Sequence, residues 1–232
     1  LTHIKCNDNA ASTVVTNNGS ESGAGVASVN TTALTSAGKI SNSFSFTSAS
    51  SHNIALAAAT VTSMSDDTVG SIVFWVNPAI YDSYIFSLGG TTSNNLADIN
   101  IAGSGKFSFN LTSNGNGILS VNTSSYTLQT SAWTHVAVIG NGTTTIFYVN
   151  ATTIATTVTS GTDGKWFANV PGIDNGRIGC RNRNNGGNTV FFSGLIDDFR
   201  YYSTALTSLQ IAAIYADGSG TEAQATTARE GT

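Results

Sequence analysis

The 232-residue chain is short of charge: Asp, Glu, Lys and Arg make up only 9% of it, with 9 basic against 13 acidic side chains and a formal net charge of −4 at pH 7. No basic stripe appears along it. Without clustered Lys and Arg to displace counterions, nucleic acid and anionic membrane surfaces are excluded as partners. Long apolar runs are also missing, none approaching the roughly 20 residues that span a bilayer, so membrane insertion is not expected. The opening "LTHIKC" lacks the basic-then-apolar order of a targeting signal, and the chain reads as a soluble mature protein or an excised domain. Cysteine is limited to Cys6 and Cys180, a candidate disulfide pair or else two small buried hydrophobes. C-x-x-C, H-x-x-x-H and EF-hand patterns are absent, which disfavours zinc and a helix-flanked calcium loop. No G-x-S-x-G elbow offers His3, His52 or His135 a nucleophile to activate, and His135 within "WTHVAV" reads as structural.

Hydroxyls and amides take the place of charge: there are 33 threonines and 23 asparagines, alongside abundant serine. Threonine fits a pleated surface, and asparagine and serine stabilise turns. Six N-glycosylation sequons, at Asn18, Asn30, Asn110, Asn122, Asn141 and Asn150, are about what this composition produces by chance and carry no information on compartment. Period-2 alternation recurs in "SFSF" (43–46), "SIVFWV" (71–76), "YIFSL" (84–88), "ADINIA" (97–102), "KFSFNL" (106–111), "WTHVAVIG" (133–140), "TIFYVN" (145–150) and "VFFSGLIDDFRYY" (190–202). Gly/Asn/Ser punctuation separates these runs, which predicts an antiparallel sandwich or barrel. One short C-terminal helix is expected at "TSLQIAAIYADG" (207–218), with Thr207 and Gln210 as a capping box and Gly218 as its stop. Leu209, Ile211, Ile214 and Tyr215 would dock it. The compact domain is placed at 1–217 and a linker or tail at 218–232.

Several segments, in order, resemble the LamG-like jelly roll of the concanavalin A-like lectin/glucanase superfamily. "GKISNSFSFTSASSHNIAL" (38–56) is similar to that family's early strand pair, "SIVFWVNP" (71–78) to its first central strand and "WTHVAVIGNGTTTIFYVN" (133–150) to its Trp-containing hairpin. "IG" (178–179) followed by "FFSGLIDDFRYYSTALTSLQIAAIY" (191–215) resembles its closing strand and terminal helix. Two positions depart from the family pattern, Thr16 where relatives often carry Asp and Ala151 where they often carry Gly. The resemblance implies two curved antiparallel sheets, with functions ranging over glycan binding, adhesion and polysaccharide cleavage. It also implies a calcium site, with Asp197 as ligand and Asp8, Asn17 and Glu21 as candidate companions.

Fold does not settle function. Glycoside hydrolysis needs two carboxylates flanking one bond; the E-x-D-x-E motif of the laminarinase-type branch is absent, the only glutamates being Glu21, Glu222 and Glu230. Adjacent Asp197 and Asp198 point to opposite faces of a regular strand, which rules them out as a dyad. On that reading Asp197 faces inward and Asp198 is solvated or paired with a surface cation. Sugar binding needs exposed aromatics and amide or guanidinium donors. Two loops offer them: 163–176 with Trp166 and Phe167, and 181–188 with Arg181, Arg183, Asn184 and Asn185. Trp75 and Trp133 read as core. The leading expectation is a non-catalytic binding or adhesion module for glycans in an extracellular, cell-surface or virion setting. A structural subunit of a virion, fibre or cell-surface layer, self-associating or bound to a surface protein, comes second, and a polysaccharide-cleaving enzyme third.

Overall fold

The computed structural model describes residues 1–8, 14–20, 26–29, 35–91, 94–183 and 187–223. Its strands pair antiparallel in two large sheets. From edge to edge the first runs β14 (Thr152–Ile154), β13 (Thr145–Val149), β12 (Thr134–Gly140), β7 (Gly70–Pro78), β19 (Gly194–Tyr202), β5 (Asn42–Phe46) and β4 (Thr35–Ala37). β1 (Thr2–Ile4) lies along residues 199–201 of β19, beyond the stretch that pairs with β5. The second runs β15 (Thr156–Gly161), β11 (Asn116–Thr123), β10 (Phe107–Ser113), β9 (Leu96–Ile101), β8 (Ser83–Gly89), β16 (Asn175–Ile178), β6 (Asn53–Ala55), β3 (Val26–Val29) and β2 (Val14–Val15). A separate hairpin, β17 (Arg181–Arg183) and β18 (Gly187–Thr189), lies against β8, where the Asn182 N–H donates to Ser87 Oγ at 2.8 Å. Among the described residues no helix is long and apolar enough to cross a membrane.

Alternation explains the core. Ile72, Phe74 and Val76 of β7, Ile99 and Ile101 of β9, and Phe107 and Phe109 of β10 all point between the sheets. Phe199 bridges the layers, stacked on Phe74 at 6.3 Å and tilted against Phe86 at 5.4 Å. Each such ring removes a large apolar area from water, at about 25 cal/mol per Å². Trp166 and Phe167 belong here rather than on the surface. Both are 0% exposed, their rings stack at 4.8 Å, Phe109 lies 5.0 Å from the indole, and Trp166 Nε1 donates to the Tyr201 hydroxyl at 3.3 Å. The paired residues Gly70 and Gly140 make room: a β-carbon on Gly140 would sit 2.2 Å from Trp166 Cε3. The expected sugar-stacking pair instead closes one end of the sandwich.

The outer face of the first sheet is also covered. Val73, Ala137, Ile139, Tyr148 and Tyr202 pack against Leu206, Ile211 and Ile214 at helix α2 (Ser208–Tyr215). Thr207 and Gln210 form the reciprocal cap, whereas Leu209, expected to dock, is 81% exposed. A second helix, α1 (Ala58–Ser65), has no capping side chain and packs Val61 over Gly176 of β16. Beyond α2 the chain does not leave the domain at 217. Arg200 Nη1 donates to the Ala223 carbonyl at 2.6 Å and Nη2 to that of Thr221, while Glu222 pairs with Lys5 at 3.2 Å and accepts from Asn7. Residues 218–223 are therefore a strap on the first sheet rather than a linker. Cys6 and Cys180 are both buried and free, so the candidate bridge is not formed; burial pushes both thiols up, Cys180 to about 12.

Candidate functional site

The outward-facing half of the second sheet is polar. Cross-strand register aligns Thr157, Asn122, Ser108, Asn100 and Tyr84 in one row, and Ser120, Asn110, Asp98, Ser87 and Arg177 in the next. Directly opposed residues stand about 4.5–5.5 Å apart, so each row is a continuous strip across five strands. Asn110 Nδ2 donates to Asp98 Oδ1 at 2.8 Å and to Asn100 Oδ1 at 2.9 Å, and its own Oδ1 accepts from Ser120 at 2.8 Å. The β17–β18 hairpin walls one end, with the Arg181 guanidinium 5.3 Å from the Tyr84 ring centre. Burial pushes the Asp98 carboxyl up to about 6, against the pull of Asn110 and Arg181. Asn122 Oδ1 and Arg181 Nε on this face are buried without a hydrogen-bond partner.

The closing strand behaves differently from a regular one. Asp197 opposes Trp75 and Arg200 opposes Val73, so Asp198 and Phe199 together face Phe74 in a β-bulge, with Asp198 at φ 50°. The bulge overturns the expectation that the two carboxylates part to opposite faces and that Asp198 is solvated. Asp198 is buried; it accepts from Arg200 Nε and Nη2 at 2.9 and 2.7 Å and bonds His3 Nε2 at 2.6 Å. Asp197 lies beside it on the outer side, with Oδ2 accepting from the Ile40 N–H at 2.8 Å and Oδ1 without a partner. Burial foremost, with the Asp198 charge adding, raises its carboxyl to about 7.

Residues 47–212 match the family model described as the concanavalin A-like lectin/glucanases superfamily. The chain belongs to that superfamily. No curated protein matches it. Solved structures similar to this superfamily member include domain 4 of AbnA, a GH43 extracellular arabinanase from Geobacillus stearothermophilus, in complex with arabinotriose (TM-score 0.61, 17% identity, 91% of this chain and 96% of that one). Another is the Ruminococcus gnavus IT-sialidase CBM40 bound to α2,3-sialyllactose (TM-score 0.56, 18% identity, 66% and 85%). A third is the heptameric SAP-like pentraxin from Limulus polyphemus (TM-score 0.50, 18% identity, 68% and 74%). At these identities the likeness is one of fold.

Of the calcium ligands suggested by the superfamily resemblance, Asp197, Asp8 and Asn17 lie among the described residues. Calcium takes six to eight oxygens, backbone and amide oxygens included; among the described residues no group of three or more His, Cys, Asp or Glu is placed to hold a metal. Asp8 turns its carboxylate onto Thr16, 2.7 Å from Oγ1, and Asn17 Oδ1 accepts from the N–H groups of His3 and Gly19 at 2.9 and 3.0 Å. Glu21, like the candidate sugar ligands Asn184 and Asn185, lies outside the described residues. Arg181 lies over Tyr84 on the polar face, with Arg183 two residues on along β17, whereas Trp166 and Phe167 are buried in the core. Sequence reasoning missed Tyr84, Asp98, Asn100, Asn110 and Asn122 as a set. Their signal was the polar half of the alternation in "ADINIA", "KFSFNL" and "ILSVNT", where asparagine recurs on three adjacent strands.

Proposed function

We propose that this chain is a glycan-binding module whose sugar lies along the polar outer face of the second sheet. The observation that carries the reading is the double polar strip ending where Arg181 covers Tyr84. Amides and hydroxyls held by a rigid sheet are pre-organised to exchange hydrogen bonds with sugar hydroxyls, and the half-buried Tyr84 ring offers an apolar edge. The strip holds one carboxylate, Asp98, where hydrolysis normally requires two, which favours binding over cleavage. Sugar complexes among the similar structures, arabinotriose on the arabinanase domain and sialyllactose on the CBM40, support the ligand class.

A glycan array with and without calcium, run on the wild type and on Asn122→Ala and Tyr84→Ala, tests this. Each substitution is expected to weaken binding about tenfold or more, the loss of one or two hydrogen bonds, with an unchanged melting temperature. An array without binders, or binding indifferent to both substitutions, would overturn it; the first result would favour the structural-subunit reading.

A further inference from the structure

The polar face is electrically uneven. Three of the chain's five arginines, Arg177, Arg181 and Arg183, gather at one end of it, although the chain as a whole is poor in charge and net acidic. Alternation along β17 puts Arg181 and Arg183 on one side, toward Tyr84, with Asn182 on the other. Both cations act on Tyr84, partly offsetting the burial that raises its hydroxyl. The ion pairs among the described residues are His3–Asp198, Lys5–Glu222 and Arg200–Asp198, and none of them uses these three arginines. Arg181 Nε and Arg177 Nε are buried without an acceptor. The carboxylate on the face, Asp98, is bonded to Asn110 and makes no ion pair with Arg181. Guanidinium N–H groups are shaped for the paired oxygens of an oxyanion; Arg177 gives one to the Gly176 carbonyl at 2.8 Å, and none of the ion pairs among the described residues supplies a carboxylate to Arg181 or Arg183.

We infer that the ligand is an acidic glycan, a sugar bearing a carboxylate or a sulfate, with that group seated on Arg181 and Arg183 beside Tyr84 and the neutral remainder running toward Asn100 and Asn122. The inference rests on the glycan-binding reading above and adds its charge. An anion there gives the half-buried Arg181 guanidinium, 5.3 Å from the Tyr84 ring centre, the charged acceptor it lacks among the described residues.

The test is an array of matched pairs, in which sialylated, uronic-acid and sulfated glycans are each printed beside the neutral counterpart with the acidic group removed or reduced. Acidic members are expected to bind about tenfold or more tightly than their partners, less so as salt rises, with the carboxylate and sulfate arms telling the two anions apart. Arg181→Gln and Arg183→Gln should each erase most of that difference. Arg183, half-buried near the hairpin end, serves as the second variant if Arg181→Gln lowers the melting temperature. Equal binding of acidic and neutral partners, or a preference that survives both substitutions, would overturn the inference while leaving the glycan reading intact. Absence of binding to every glycan would remove the reading beneath it.

Discussion

Asp198 occupies a left-handed conformation, φ 50°, that most L-residues avoid and that Asp and Asn tolerate. From there its carboxylate serves two buried bases, His3 on β1 and Arg200 two residues on, and Arg200 in turn holds the strap carbonyls of Thr221 and Ala223. Removing one partner of such a network leaves a charge buried without compensation, at a loss of roughly 3–5 kcal/mol. Asp198→Ala should therefore lower stability by that order, whereas Asp198→Asn, which tolerates the same φ and keeps an acceptor, should lose less. Urea midpoints decide it. If Asp198→Ala stays within about 1 kcal/mol of the wild type, the strap carbonyls alone satisfy Arg200 and the network is not what holds the strap.

Between β13 and β14 the chain reverses through two residues, Asn150 at φ 48° and Ala151 at φ 60°. Such two-residue hairpin turns with both φ positive favour Asn-Gly. Alanine in that conformation costs roughly 1–2 kcal/mol, offset by about 0.4–1 kcal/mol from a stiffer unfolded chain. Ala151→Gly should thus stabilise by about 0.5–1 kcal/mol and raise the melting temperature by about 2 °C; a lower melting temperature would mean that the turn is not strained. Strands with clean alternation were legible because periodicity reports directly on which side is buried, and Thr207 and Gln210 marked α2 through their reciprocal cap. Helix α1 was not, since no cap announces it. Trp166 was misplaced because the glycines that make its hole, Gly70 and Gly140, are distant in sequence, and the bulge at Asp198 was hidden because no glycine marks it. Of the site, Arg181 and Arg183 were visible as loop cations. The asparagines opposite them were not, because polar strand positions read as solvated until register stacks them side by side.

Across the whole molecule, three buried groups titrate away from their ordinary values with opposing signs. Asp98 is raised to about 6 and Asp197 to about 7, both chiefly by burial, whereas burial and the Arg200 charge lower His135 to about 3. A carboxyl raised on folding contributes stability that is present below its unfolded value, about 3.9, and is lost as pH rises through its folded value; a lowered histidine contributes stability present above about 6.5 and lost on acidification. Between about 4 and 6 the folded protein holds close to two protons, on Asp98 and Asp197, against about one held by the unfolded chain at His135. Stability therefore climbs as pH falls through that window, on the order of 1 kcal/mol per unit. Asp174, lowered because bonds from Thr91 and Asn175 outweigh burial, works the other way, but it is largely exposed and screened. The melting temperature should thus be higher at pH 5 than at pH 8, and a steady fall from pH 8 to pH 5 would refute the assignment. Asp98→Asn separates this balance from the rest of the molecule: it keeps an acceptor for Asn110, should raise stability at pH 8 by about 2–3 kcal/mol, and should flatten the profile between pH 4 and 6. A carboxylate that costs the fold this much in the middle of the polar strip is the pattern of a residue kept for its ligand, so the same variant should bind the glycan differently while melting higher.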